Sequence, residues 1–353
     1  MNSKERVLTA LSVREPDRVP FMFAMVDTQL QEEIVGHALR DYVFDIRKDP
    51  GTVTVPGESV RTSLNYCIHP ETAGVLGLDA LGIKFNYPLF VKATLQRGGW
   101  AIERGLLVDW EAFHKVTMPD PDQEDVLREA QRFINRYGQD RAIYAAIRMG
   151  ISSTLMSMGY DVFSYMLYDD REFIQSVLGM YLDFNKRFIH NLEEIGFDFL
   201  WSFDDIAFGT APFFSPQVWD EVFFKPVKAI TTEFGIPWIY HSDGNILPLL
   251  DRMLPLGMSG IHPLEPGSMD LDYLKRTYGK RICLIGNLDI NSTLSSSSPS
   301  EVRLEVLDRI ARLSPGGGFI LSDSNSIPYF CSSRNLVEAA NTVRDFNQNL
   351  PCP

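Results

Sequence analysis

With 353 residues, 45% of them hydrophobic, the chain is long enough to bury a substantial core as one large α/β domain or two smaller ones. Its 46 acidic residues outnumber the 33 basic ones, and the formal charge of −13 argues against sequence-independent affinity for nucleic acid or an anionic membrane, leaving a small molecule or another protein as partner. No run reaches the length of a membrane span or secretory core, and four scattered cysteines (Cys67, Cys283, Cys331, Cys352) without a C-x-x-C pair suit a reducing cytoplasm.

Val7, Leu8 and Leu11 share one face of a short helix expected over residues 3–11. A turn at 14–18 leads to the apolar run VPFMFAM at 19–25, the first expected strand. Residues 27–69 show no clean periodicity and are interrupted by Pro and Gly around 50–57, so an irregular lid with short helical pieces such as 28–35 is expected. LDALGIKF at 78–85 fits a second strand. The alternating runs over 94–110, broken at Gly98-Gly99 and Arg104-Gly105, predict an inserted β-meander. A helix at 123–137 and a strand at 142–147 follow, the strand ending in Arg148 and Met149.

The Met- and aromatic-rich stretch LMSMGYDVFSYMLY at 155–168 reads either as core or as the lining of an apolar pocket. A long helix at 171–194 stops at Gly196, and the strand at 197–203 ends in Asp204-Asp205. Ser215-Pro216 has the residues of a helix start.

Residues 236–266 carry the densest chemistry. Two apolar runs, 236–240 and 258–261, end in His241 with Asp243 and in Glu265, and between them Ile246, Leu247, Leu249, Leu250, Met253 and Leu254 recur at helical spacing before Gly257. A right-handed βαβ crossover places both strand C-termini on one edge of a parallel sheet, so His241, Asp243 and Glu265 are expected to converge. Each alone has an ordinary structural reading as a carbonyl partner, a turn residue or an ion-pair partner; three at adjacent strand ends favour a site. A strand at 282–285, a capping box at Ser298 to Glu301, a strand at 318–321 and a helix at 335–346 complete the chain.

Strands beginning at Val19, Leu78, Ala142, Phe197, Ile236, Met258, Ile282 and Gly318 predict a (β/α)8 TIM barrel, one domain over 1–353 with an irregular N-terminal extension. In that fold the polar strand ends Arg148, Asp204, Asp205, His241, Asp243, Glu265, Asn287, Asp289, Asp323 and Asn325 meet at one mouth. Nucleophile-elbow, phosphate-loop and dinucleotide signatures are absent from the sequence. One His, several carboxylates and one Arg suit a divalent metal or acid/base work on an anionic substrate.

The segments DDIAFGTAPFFSPQVWDEVFFKP, YHSDGNILPLL, GIHPLEP, DLDYLKRTYGKRICLIGNLD and GGGFILSDSNSIP resemble the uroporphyrinogen decarboxylase superfamily, which also contains cobalamin-dependent methyltransferases. The resemblance is strongest over 198–327, is weaker at KERVLTALSVREPDRVPF, and implies a barrel, commonly a homodimer in the decarboxylases. Decarboxylases of the family grip substrate carboxylates with arginines in a P-x-W-x-M-R-Q-A-G-R-Y segment; here VPFMFAMVDTQL contains none, and Ser324-Asn325-Ser326 replaces a late Gly-His-Gly. The methyltransferase branch holds zinc through H-x-C and a distant Cys. His241 matches its His, Asp243 and Asn325 stand where the cysteines do, and Glu265 matches an acidic position near the metal.

The resemblance thus implies a metal-dependent methyltransferase or demethylase exchanging a methyl group between a small molecule and a corrinoid carried by a partner protein. His241, Asp243 and Glu265 are the expected ligands of zinc or another divalent metal. Asp204, Asp205, Arg148 and Asn325 are the catalytic candidates. Met149, Met156, Met158, Phe163, Tyr165 and Phe213 are the expected apolar mouth, with Asn287, Asp289 and Asp323 completing the pocket. The alternatives are a decarboxylase of a porphyrinogen or smaller acid, with Arg148 as carboxylate anchor, and a non-catalytic ligand-binding barrel.

Overall fold

In the computed structural model, which describes residues 1–39, 61–96 and 99–349, ten strands build two sheets. They are β1 Ser63–Tyr66, β2 Ala80–Asn86, β3 Val91–Gln96, β4 Gly99–Gly105, β5 Ala142–Ile147, β6 Phe199–Phe203, β7 Trp238–His241, β8 Gly260–His262, β9 Cys283–Leu288 and β10 Phe319–Asp323. The larger sheet runs β1-β2-β5-β6-β7-β8-β9-β10; every neighbouring pair from β2 onward is parallel, and β1 lies antiparallel on β2. All residues of β5, β7, β9 and β10 are buried, as expected of parallel strands covered on both faces. Helices including Glu124–Tyr137, Arg171–Ile195, Phe224–Thr231, Leu247–Met253, Leu271–Tyr278 and Pro299–Leu313 separate the strands, giving a curled, TIM-barrel-like α/β fold.

The apolar run at 19–25 is not a regular strand, yet it occupies a strand's place. Phe21 bridges in parallel to Leu321, Met22 N donates to Leu321 O at 3.1 Å, and Leu321 N donates to Pro20 O at 3.0 Å. On the other side Asp79 N donates to Phe21 O at 2.8 Å, and Phe21 N donates to the Asp79 carboxylate at 3.0 Å. Pro20 has no N–H to extend the ladder, which interrupts regular pairing on this segment. The same Asp79 accepts from the buried Arg6 guanidinium at 2.8 Å, tying the helix Ser3–Leu11 to the barrel floor.

Within the expected irregular stretch the helix Thr28–Val35 forms and β1 is an added strand, while residues 40–60 lie outside the described residues. The expected meander is a two-stranded hairpin, β3–β4, because after Gly105 the chain turns inward and Leu107 N donates to Ser157 O at 2.8 Å. Gly105 is required there: an added Cβ would lie 2.3 Å from the Met158 carbonyl carbon. Cys67, Cys283 and Cys331 are buried free thiols, and Cys352 lies outside the described residues. Among the described residues no helix is long and apolar enough to cross a membrane.

Candidate metal site

Four strand ends supply the site. β7 ends in His241 and runs on through Ser242 and Asp243 to Gly244, β6 is followed by Asp204 and Asp205, β8 ends in His262, and β10 ends in Asp323. Asp205, His241 and Asp243 each offer one ligand atom within 4.8 Å of the others. His241 Nε2 lies 3.6 Å from Asp205 Oδ1 and 3.5 Å from Asp243 Oδ1.

One imidazole nitrogen and two carboxyl oxygens thus face one another. Asp243 Oδ1 is buried with no hydrogen-bond partner, while Oδ2 accepts from Asn325 Nδ2. Asp243 N donates to Asp205 Oδ1 at 2.9 Å, so the backbone of one ligand holds the carboxylate of another. Burial, followed by the charges of Asp205 and Glu265, pushes the Asp243 carboxyl well above its ordinary range. Burial also pushes the His241 imidazole down, against the pull of Asp205, and so favours its neutral form.

His241 is held from behind. Its Nδ1 is 2.7 Å from His262 Nδ1, and His262 Nε2 is 3.1 Å from both the main-chain carbonyl and Oδ1 of Asp323. Burial and the neighbouring His241 ring push His262 well down, and burial raises the Asp323 carboxyl to about 8. Asp323 accepts from Ala24 N at 3.0 Å and from Ser322 Oγ at 2.9 Å. With its Nδ1 engaged, His241 presents Nε2 alone to the two carboxylates.

The sequence profile described as Uroporphyrinogen decarboxylase (URO-D) matches residues 67–346. The chain belongs to the uroporphyrinogen decarboxylase family. A methyltransferase from Methanosarcina mazei superposes with a TM-score of 0.71 at 15% identity, covering 98% of this chain and 99% of that one, a likeness of fold. A B12-independent methionine synthase from Shewanella sp. W3-18-1, in complex with selenomethionine, is a looser match, with a TM-score of 0.46 at 12% identity over 73% of each chain. No curated protein sequence matches the chain.

In this member of the uroporphyrinogen decarboxylase family the acidic partner within reach of His241 and Asp243 is Asp205, not Glu265. Glu265 Oε2 accepts from Gly244 N at 2.7 Å and from Ser268 Oγ at 3.1 Å, which places it behind the turn that carries Asp243. Leu264, with φ at +56°, turns the loop that brings it there. Adjacent Asp204 points the opposite way from Asp205. Fully buried, it accepts from Ser152 N at 2.6 Å, Gly150 N at 3.1 Å, Ser202 Oγ at 3.1 Å and Met149 N, anchoring the N-terminus of the helix Ile151–Met158. Those bonds favour the carboxylate, but burial outweighs them and raises its proton affinity.

The remaining expected residues divide between support and surface. Asn287 donates to Leu264 O at 2.6 Å and accepts from Arg309 Nε at 2.8 Å, while Asp289 closes a local turn with Asn291 N and Ser292 Oγ, so both serve as loop braces. Asp323 lies beneath His262 instead of lining a pocket. The Arg148 main chain is gripped by Tyr87 and Asn185; among the described residues its guanidinium has no hydrogen bond or ion pair. Met149, Met158 and Phe163 are buried in the core, Phe163 stacking on Phe223, and Met156 is half-buried. Tyr165 is 70% exposed on the helix Tyr160–Asp169. Phe213 belongs to an aromatic cluster with Tyr160 at 5.3 Å and the 61% exposed Phe208 at 4.4 Å. That cluster adjoins the site: Gly244 packs against the Phe208 carbonyl, and burial, followed by the charge of Asp205, raises the Tyr160 hydroxyl. Sequence reading did not single out His262, Tyr160 or Phe208. The signal for His262 was its place one residue past an apolar run, paired in register with His241.

Proposed function

We propose that this protein is a metal-dependent methyltransferase or demethylase that moves a methyl group between a small molecule and a corrinoid carried by a separate protein. The observation that carries the reading is the convergence of His241 Nε2, Asp243 Oδ1 and Asp205 Oδ1, of which Asp243 Oδ1 is buried and without a hydrogen-bond partner. A divalent cation that displaces the proton from Asp243 would give the unpaired oxygen and the facing imidazole nitrogen a common partner. One imidazole nitrogen and two carboxylate oxygens fit zinc or another divalent ion, and form a harder set than thiolates. When bound, the metal supplies a Lewis acid that polarises the heteroatom bearing the methyl group. The hard donor set favours an ether oxygen or an amine nitrogen over a thiol at that position.

The chain's own residues orient the ligands. Asn325 holds Asp243, the Asp243 main chain holds Asp205, and Glu265 holds the Gly244 amide behind them. Phe208, Phe213 and Tyr160 give the rim beside Asp205 an apolar face suited to a bulky, partly apolar partner group. The fold likeness to the Methanosarcina mazei methyltransferase supports the class, the family resemblance motivates the corrinoid protein and a homodimer, and the scattered cysteines motivate a cytoplasmic setting. Metal analysis of the purified chain tests the site: about one zinc per chain is expected, lost in His241→Ala without loss of the folded state. A metal-free wild-type protein, or full occupancy in the variant, refutes it.

A second reading, decarboxylation of a small acid, draws on Arg148, whose guanidinium lacks a partner among the described residues and suits a carboxylate anchor. Release of CO2 from a carboxylic acid by the metal-stripped protein, abolished in Arg148→Ala, would favour it over methyl transfer.

A further inference from the structure

We propose that His262, seated on Asp323, is a positioning residue that fixes His241 as its Nδ1–H tautomer and thereby leaves Nε2 as the metal-binding atom. The inference rests on the metal reading for its purpose but on hydrogen-bond geometry alone for its substance.

His241 and His262 are register partners at the C-terminal ends of β7 and β8. Their rings are buried, with centroids 4.9 Å apart and planes inclined by 33°. Trp201 packs edge-on against His262 at 4.8 Å and Phe203 lies against His241 at 4.7 Å, so each ring has an aromatic neighbour as well as its hydrogen-bond partners.

Proton placement follows from one atom that cannot donate. His262 Nε2 lies 3.1 Å from the Asp323 carbonyl oxygen, an acceptor only, so Nε2 carries the hydrogen, which Asp323 Oδ1 shares at 3.1 Å. The 2.7 Å contact between the two Nδ1 atoms has room for a single hydrogen, since two N–H groups would collide and two lone pairs would repel. A second hydrogen, on His262 Nδ1, would make an imidazolium with no exposure to solvent, so Nδ1 is the acceptor and His241 Nδ1 the donor. His241 Nε2 is left with its lone pair directed at Asp205 and Asp243. Asp323 is itself anchored by Ala24 N and Ser322 Oγ, so the chain of contacts ends on backbone. Partners of this kind set both the tautomer and the orientation of metal-binding histidines.

The experiment has two readouts. In metal-free protein labelled with 15N-histidine, long-range 1H–15N correlation separates pyrrole-like from pyridine-like ring nitrogens, and only six histidines need assignment. His241 is expected to be pyrrole-like at Nδ1 and pyridine-like at Nε2; a hydrogen on His241 Nε2 overturns the proposal without any variant being made. Zinc affinity, measured by competition with a chromophoric chelator, is expected to fall about 10- to 100-fold in His262→Phe, which keeps a ring beside Trp201 but removes the acceptor. In His262→Asn, whose side-chain oxygen takes the place of Nδ1, part of the affinity and the Nδ1–H signature should return. Unchanged affinity and tautomer in His262→Phe would refute the relay. A wild-type protein that binds no zinc yet shows the Nδ1–H tautomer upholds the relay and refutes the metal reading, so the two failures are distinguishable.

Discussion

Gly244 offers the sharpest test of how the site is held, because a single methyl group there strikes a backbone that also positions a ligand. It follows Asp243 directly at a φ of +80°, and its N–H is held by Glu265 at 2.7 Å. A Cβ at this position would lie 2.2 Å from the Phe208 carbonyl oxygen and 2.5 Å from its carbon, where ordinary contact begins near 3.4 Å. The strain has two components: about 1–2 kcal/mol for an L side chain in the left-handed region, and about 1–3 kcal/mol for overpacking against a backbone that must retreat by roughly an ångström. Gly257, at a φ of +85° with nothing within 4 Å of an added Cβ, isolates the first component. Gly257→Ala is therefore expected to lose about 1–2 kcal/mol, and Gly244→Ala about 2–5 kcal/mol, both read from urea denaturation. Moving Phe208 also disturbs its 2.8 Å bond from Asn245 N and, three residues back along the chain, Asp205, so zinc affinity should fall in Gly244→Ala and hold in Gly257→Ala. Equal stability losses in the two variants, with equal zinc affinity, would refute this account of the turn.

Three further outcomes are expected. Because burial and neighbouring carboxylates keep a proton on Asp243, metal must displace it; zinc affinity should climb as pH rises through neutrality, by at most about tenfold per unit for one proton, and level off once the carboxyl is ionised. Calorimetry in two buffers of different ionisation enthalpy would show the released proton, and a flat profile with no release would exclude the linkage. Asp204→Ala strands the amides of Met149, Gly150 and Ser152 in the interior, at about 1–3 kcal/mol for each, so a denaturation shift below about 1 kcal/mol would contradict its anchoring role. Uroporphyrinogen should not be turned over, since residues 21–30 contain no arginine to grip its carboxylates; coproporphyrinogen formation would disprove this.

Much of the barrel was legible because its strands are apolar runs bounded by Gly, Pro and Asp, and seven expected strands overlap the parallel ladder from β2 to β10. Most ends, however, were placed too early. Ladder pairing continues through polar residues such as His241, His262, Ser322 and Asp323, which look like loop in a hydropathy pattern but still have backbone to pair. That is why a hydropathy pattern passes over His262 and points Asp323 into a pocket. The exchange of Glu265 for Asp205 has another cause: it depends on which way each strand-end loop turns, and a left-handed Leu264 is not a residue-type preference. Asp204 and Asp205 are equivalent as letters; only the path of the chain just past β6 separates an inward anchor from a carboxylate facing His241.

Ala24 N and the Asp323 carboxylate that receives it are 299 residues apart in the chain. That bond joins the segment beside β10 to the seat of His262, so ring closure and ligand orientation are one event. A nascent barrel still waiting for β10 has an unseated His262 and an unaligned His241. Metal should therefore discriminate between finished and unfinished molecules, binding the closed ring and drawing the population towards it, in the manner of a latch that engages only when the door is shut.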